Sequence, residues 1–229
     1  SALCAALPLR SLGLFSNALT GSIPACIGSL TSLTFVSAES NLLNGTLPSE
    51  LVSLGALSSL LLKGNSLSST IPSALGAVLS LTYLDLGSNC FVGTIPAELG
   101  SLSKLVALRL FQNDITGGLP TAIVSLSVLA QLLVHQNSLT GRLPTEIGSA
   151  LSLTKLNLGD NRFTGPLPAT LGSLSALLVL SNPLNSWSGS IPAALGNMLA
   201  LTYIDISSAL LNGTIPPELG SLTNLVYLS

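Results

Sequence analysis

Prolines stand at positions 24, 48, 72, 96, 120, 144, 168, 192 and 216, and every interval is 24 residues with no insertion. A strict period of this length demands a path that repeats itself, in which each unit stacks on the one before. Ile or Leu precedes each of these prolines; Gly stands three residues before all but one, where Ser69 takes its place; Asn stands seven residues before all but one, where Ala209 takes its place. One unit reads L-x-x-L-x-L-x-x-N-x-L-x-G-x-I-P-x-x-L-G-x-L-x-x. The near-identical decapeptides Asn41–Glu50 and Ala209–Glu218 occupy the same place in the second and ninth units.

Each part of the unit has a physical role. The L-x-L segment, as in Leu84-Asp85-Leu86, alternates with period two and reads as a short strand with one face inward. Strands are predicted near residues 12–14, 36–38, 60–62, 84–86, 108–110, 132–134, 156–158 and 204–206, paired in parallel. The Asn that follows sits among core positions, so its side chain is expected to bond the backbone of adjacent turns and to be buried. Gly permits a tight bend. Pro fixes φ where the chain leaves the strand. The apolar row spaced by three, such as Leu99, Leu102 and Leu105, suits a short 3₁₀ or helical turn on the convex side. The expected fold is therefore one elongated α/β solenoid over residues 1–229, roughly 40 Å long at about 4.8 Å per coil.

Composition narrows the function classes. The chain is 48% apolar, yet no apolar run reaches membrane-spanning length, because Ser, Gly, Asn or Pro interrupts it every few positions. Charged residues make up only 7% and the net charge is −2, which speaks against a nucleic-acid binder. The opening SALCAALPLR shows no basic leader followed by an apolar stretch.

The repeat, ending in G-x-I-P-x-x-L-G-x-L, resembles the plant-type leucine-rich repeats over nearly the whole chain. That resemblance implies a second, short β-ladder after the Asn, a twisted superhelix, and a place among receptor-kinase ectodomains, receptor-like proteins, polygalacturonase-inhibiting proteins and a few ice-binding proteins. The family's flanking caps with paired Cys are missing at both ends, which leads us to expect a portion of something longer or contacts with partners at the termini. The eighth unit departs from the pattern: Asn182 stands where an inward Leu belongs and Pro183 follows it. A local break in the sheet is predicted there, with Trp187 packed against it.

Outward strand positions line the concave face, and steps of 24 set them out in rows. One cluster stands apart: Lys63, Tyr83, Asp85, Arg109, Phe111 and His135 are the candidate ligand-binding residues, since aromatic and Arg anchors are what interfaces use. The plainer alternative is a set of solvated strand positions with a weak lateral Asp85–Arg109 ion pair. With a single His and no Gly-rich phosphate loop, HExxH or CxxC, the chain is expected to be no enzyme and to carry neither cofactor nor metal. Cys4 and Cys26 lie one turn apart, so a disulfide and two thiols both remain open; Cys90 has no partner in sequence. Asn44-Gly45-Thr46 and Asn212-Gly213-Thr214 are glycosylation acceptors.

Three functions are weighed. The first is an extracellular or cell-surface recognition module that presents its concave sheet to a protein, peptide or glycan. The second is ice binding through a Thr/Ser ladder beside the glycines, including Thr46, Thr70 and Thr94 and interrupted at Val92, Gly118, Arg142 and Pro166. The third is a structural repeat in a larger extracellular assembly.

Overall fold

The computed structural model describes residues 8–229. Ten strands form one parallel sheet in sequence order: Ser11–Gly13, Phe35–Ser37, Ser59–Leu61, Tyr83–Asp85, Ala107–Arg109, Gln131–Leu133, Lys155–Asn157, Val179–Ser181, Tyr203–Asp205 and Tyr227–Leu228. The register advances by one repeat per strand, so that Leu60 pairs with Leu84 and Asp85 with Arg109. Each strand lies one residue earlier than the L-x-L pattern suggests. Its last Leu has left the strand but still donates to the next coil, as Leu86 N–H does to Arg109 O at 2.8 Å.

A second parallel sheet of nine strands follows the Asn positions, from Thr20–Gly21 through Leu42–Gly45, Ser66–Thr70 and Cys90–Thr94 to Leu210–Asn212. Its residues alternate, with Cys90 and Val92 outward and Phe91 buried. The third side is built of short 3₁₀ turns, such as Ala97–Ser101 directly after Pro96, whose φ of −63° already suits a turn. One of these turns, Thr121–Val124, is α-helical. Gly76 lets this side close up, because a Cβ there would run into the Glu98 backbone of the next coil. Between the three sides lies one continuous core, with Leu54, Leu57, Leu60, Leu62 and Leu67 fully enclosed.

The Asn row is a ladder of hydrogen bonds. Asn113 Nδ2 donates to the carbonyls of Leu86 (3.1 Å), Leu110 (3.1 Å) and Phe111 (3.2 Å), while its Oδ1 accepts from Phe91 N–H at 2.9 Å. The pattern recurs at Asn41, Asn65, Asn89, Asn137 and Asn161. Asn41, Asn113, Asn161 and Asn185 are buried; Asn65, Asn89 and Asn137 are half-buried; Asn17, in the first coil, is exposed.

The eighth unit is not broken, contrary to the expectation from Asn182 and Pro183. Val179–Ser181 pairs in register with both neighbours, Lys155↔Val179 and Val179↔Tyr203. The reason lies in which amides the ladder uses. Residues two before each Asn contribute only their carbonyl between coils: Phe111 O accepts from Ser88 N–H and Pro183 O from Asp160 N–H, each at 2.8 Å. Where an N–H exists at that position, as in Gly87 and Gly159, it turns to a side chain of its own coil. Proline therefore removes no ladder bond there. At Ala209 one of the missing Asn's bonds is replaced by another group. The carbonyl that an Asn at 209 would bond by the repeat is Asn182 O, and it instead accepts the Trp187 indole N–H at 3.2 Å. Trp187 is wholly buried and stacks on Phe163 at 5.4 Å.

Candidate functional site

The first sheet forces its outward side chains into lateral contact at strand spacing, and the candidate residues meet there in part. Asp85, Arg109, Phe111 and Lys63 line one shallow groove together with Glu39, Gln131, Leu133 and Lys155. Arg109 organises it. Its Nη1 lies 3.3 Å from Asp85 Oδ2, and its Nε and Nη2 donate to Gln131 Oε1 at 3.2 and 2.9 Å. Asp85 is not presented to solvent as the sequence suggested: its side chain is 4% exposed, capped by Arg109 and also accepting from Gly87 N–H at 3.0 Å. A charge so enclosed needs such partners, and it fixes the guanidinium plane.

Phe111 forms the floor beside this pair. Its ring lies over Gly87, where a Cβ would approach ring carbons to 2.7 Å. His135 stacks on it at 4.9 Å with the rings 6° from parallel, and Lys63 Nζ stands 5.5 Å from the Phe111 centroid. The order Lys63, Phe111, His135 is thus a cation and two stacked rings along one row. Burial, and then the nearby Lys155 charge, lower the His135 pKa from 6.5, with Asp160 opposing. His135 Nδ1 is enclosed with no hydrogen-bond partner. Tyr83 is 43% exposed on the neighbouring row and lies outside the groove.

Glu39, Gln131, Leu133 and Lys155 are the groove residues that the sequence reading did not single out. Adding or subtracting multiples of 24 from the chosen six, row by row, reaches all four. The glycosylation acceptors Asn44 and Asn212 are both exposed, on strands of the second sheet. Cys26, in the turn Ala25–Ser29, is disulfide-bonded, while Cys4 lies outside the described residues; Cys90 is an exposed free thiol. Among the described residues no three His, Cys, Asp or Glu converge to hold a metal ion, and no helix is long and apolar enough to cross a membrane.

A parallel concave sheet, an Asn ladder, a second sheet and 3₁₀ turns at a 24-residue period define a leucine-rich repeat protein, and the chain belongs to that family. The leucine-rich repeat family profiles match residues 55–115 and 152–174. Solved structures agree. The leucine-rich repeat ectodomain of the plant membrane receptor kinase GASSHO1/SCHENGEN3 from Arabidopsis thaliana, in complex with CASPARIAN STRIP INTEGRITY FACTOR 2, is 34% identical over 95% of this chain and 29% of that one, with a TM-score of 0.90. The Arabidopsis receptor kinase HAESA, in complex with the peptide hormone IDA and the co-receptor SERK1, is 35% identical over 91% of this chain and 35% of that one, with a TM-score of 0.88. The chain therefore spans 29% and 35% of these two receptor chains. A plant ice-binding protein is 28% identical over 94% of this chain and 69% of that one, with a TM-score of 0.80. A search of curated protein sequences finds no match.

Proposed function

We propose that the chain, as one solenoid over residues 1–229, is a non-enzymatic recognition module of the cell surface or extracellular space. It presents the groove formed by Lys63, Asp85, Arg109 and Phe111, with His135 stacked behind and Tyr83 at its margin, to a protein, peptide or glycan. The observation that carries this reading is the buried Asp85 carboxylate holding Arg109 in place beside the Phe111 platform. Such pre-organisation lowers the ordering cost that a flexible surface would meet on binding. Two receptor neighbours were solved with ligands, which fits a binding role. Glycans at Asn44 and Asn212 would rise from the second sheet and leave the concave face clear. The test is a binding partner captured on the native chain and mapped by footprinting. Replacing Arg109 and Phe111 together by Ala is expected to weaken it by at least about 100-fold, at ~1.5 kcal/mol for each anchor. A footprint confined to the convex turns would refute the assignment.

A second reading has its own observation. The Thr/Ser ladder forms the outward face of the nine-stranded sheet. Two glycines of this sheet leave room for a neighbouring methyl: a Cβ on Gly93 or Gly117 would meet Thr70 or Thr94 Cγ2 at 2.8 Å. An ordered, nearly uncharged array at strand spacing suits ice, and one neighbour is an ice-binding protein. Val92, Arg142 and Pro166 interrupt the array, so we expect no thermal hysteresis. A clear signal that disappears when Thr46, Thr70 and Thr94 become Lys would put this reading first.

A further inference from the structure

One missing side chain decides where Lys63 reaches. Glu39 precedes Lys63 by one repeat, and opposite charges at strand spacing ordinarily pair. Here they do not. Glu39 Oε2 accepts from Ser37 Oγ at 3.3 Å, while Lys63 Nζ stands 5.5 Å from the centroid of Phe111, two coils further on. Gly87 occupies the coil between them and offers no side chain to block that reach. Lys63 is exposed, and among the described residues the Arg109–Asp85 contact is the sole ion pair, so the ammonium meets no carboxylate there.

Lys155 is the second such cation. Its register partner Gln131 gives its Oε1 to Arg109, and Lys155 too is exposed and outside any ion pair among the described residues. It stands on the His135 side of the stacked rings, where burial and then the Lys155 charge lower the His135 pKa. The groove holds three cations, Lys63, Arg109 and Lys155, against two carboxylates, Glu39 and Asp85. Arg109 and the enclosed Asp85 answer each other. Two lysines and one glutamate remain, and the lysines stand on either side of Arg109, Phe111 and Leu133.

We propose that the groove takes an acidic segment of a peptide or protein partner, with one carboxylate side chain on Lys63, another on Lys155 and uncharged residues between them. The lysines lie four coils apart along the sheet, about 19 Å, and four residues apart along the strand direction, about 13 Å, so an extended segment reaches both with carboxylates roughly seven residues apart. The middle of the groove favours a polypeptide over a chain of uronic acids. Such a glycan bears a charge on every ring and would lay carboxylates against Phe111 and the Asp85 side, whereas a polypeptide can put apolar residues there. Charges placed so select the partner and speed its approach more than they add affinity. The inference rests on the concave-groove reading and names the chemistry of its partner.

The test titrates the capped octapeptide acetyl-Glu-Ser-Ala-Leu-Ala-Ser-Ala-Glu-amide into the protein with ¹³C-labelled lysine, read by NMR at the ε-carbons. Saturable shifts are expected at Lys63 and Lys155, with a Kd roughly in the millimolar range. The same peptide with Gln for both Glu should bind about tenfold more weakly. Lys63→Gln and Lys155→Gln, both at exposed positions, should each weaken the Glu peptide about threefold, the size of an exposed ion pair, and together abolish its advantage over the Gln peptide. Equal binding of the two peptides, no shift at either lysine, or an undiminished advantage in the double variant overturns the acidic partner. Tetragalacturonate that outbinds the octapeptide overturns the choice of a polypeptide. None of these outcomes removes the Arg109 and Phe111 groove, whose footprint test uses the captured native partner; a footprint on the convex turns would remove both.

Discussion

Replacing Asn113 by Ala tests the ladder that joins the coils. The side chain makes four bonds, and at about 1 kcal/mol apiece a simple sum gives ~4 kcal/mol. The structure says less. Leu86 O also accepts from Asn89 Nδ2 at 3.2 Å, and Leu110 O from Asn137 Nδ2 at 3.0 Å. Alanine therefore leaves both carbonyls with a donor. The group that loses its partner is Phe91 N–H, in a residue with no solvent exposure. One buried amide left unpaired costs roughly 1–3 kcal/mol, so we expect ~2 kcal/mol. Urea unfolding should show that loss. Native-state hydrogen exchange at the Phe91 amide should accelerate about 30-fold while exchange at distant coils changes little. Asn113→Asp should be worse than Ala, since it keeps the acceptor but sets a carboxylate against three carbonyl oxygens. Unchanged unfolding in Asn113→Ala, or a better-tolerated Asp, would refute the reasoning.

Other outcomes follow from the same geometry. Asn182 is fully buried with neither side-chain polar atom partnered; Asn182→Leu, the residue that its row carries at Leu158, should raise stability by ~1–3 kcal/mol, and a lower urea midpoint would contradict this. Ser69 holds φ of 82° where the corresponding positions are glycines at 75–82°; Ser69→Gly should stabilise by ~1 kcal/mol, partly offset by the freer unfolded chain, and calorimetry would detect the shift in Tm. The His135 pKa is lowered on folding, so below the ordinary value of 6.5 the unfolded chain binds more protons than the folded one. Its contribution to stability is thus complete above pH 6.5 and declines as pH falls through that value toward the folded pKa. A urea midpoint that falls between pH 7 and 5 in the native chain, but less in His135→Gln, is the expected signature.

Much of the fold was legible because the repeat states each constraint nine times. The proline after each strand, the Asn before each bend and the leucines between them all placed their elements correctly, to within one residue for the strands. The eighth unit was misread for a reason that the repeat could not reveal. Proline is excluded from a ladder only where the ladder needs its N–H, and in this coil the position of Pro183 contributes a carbonyl alone. The resemblance implied the second sheet, whereas alternation over a few residues such as Cys90–Thr94 would have been too short to establish it.

The site was legible only as rows. Steps of 24 told which side chains are neighbours, but not which of them would be covered, so Asp85 was expected at the surface when Arg109 in fact encloses it. Departures from the repeat divide by whether an adjacent group answers them. Trp187 supplies one donor that the missing Asn at 209 would have given, an unused amide position answers Pro183, and Arg109 answers Asp85. Each of these is closed within the chain and accounts for stability. Lys63 and Lys155 meet no carboxylate in an ion pair among the described residues. A buried departure without an answer, such as Asn182, only costs stability. An exposed one such as Lys63, held on a rigid sheet over the Phe111 ring, has its remaining valence directed outward, and there a partner's chemistry can be read.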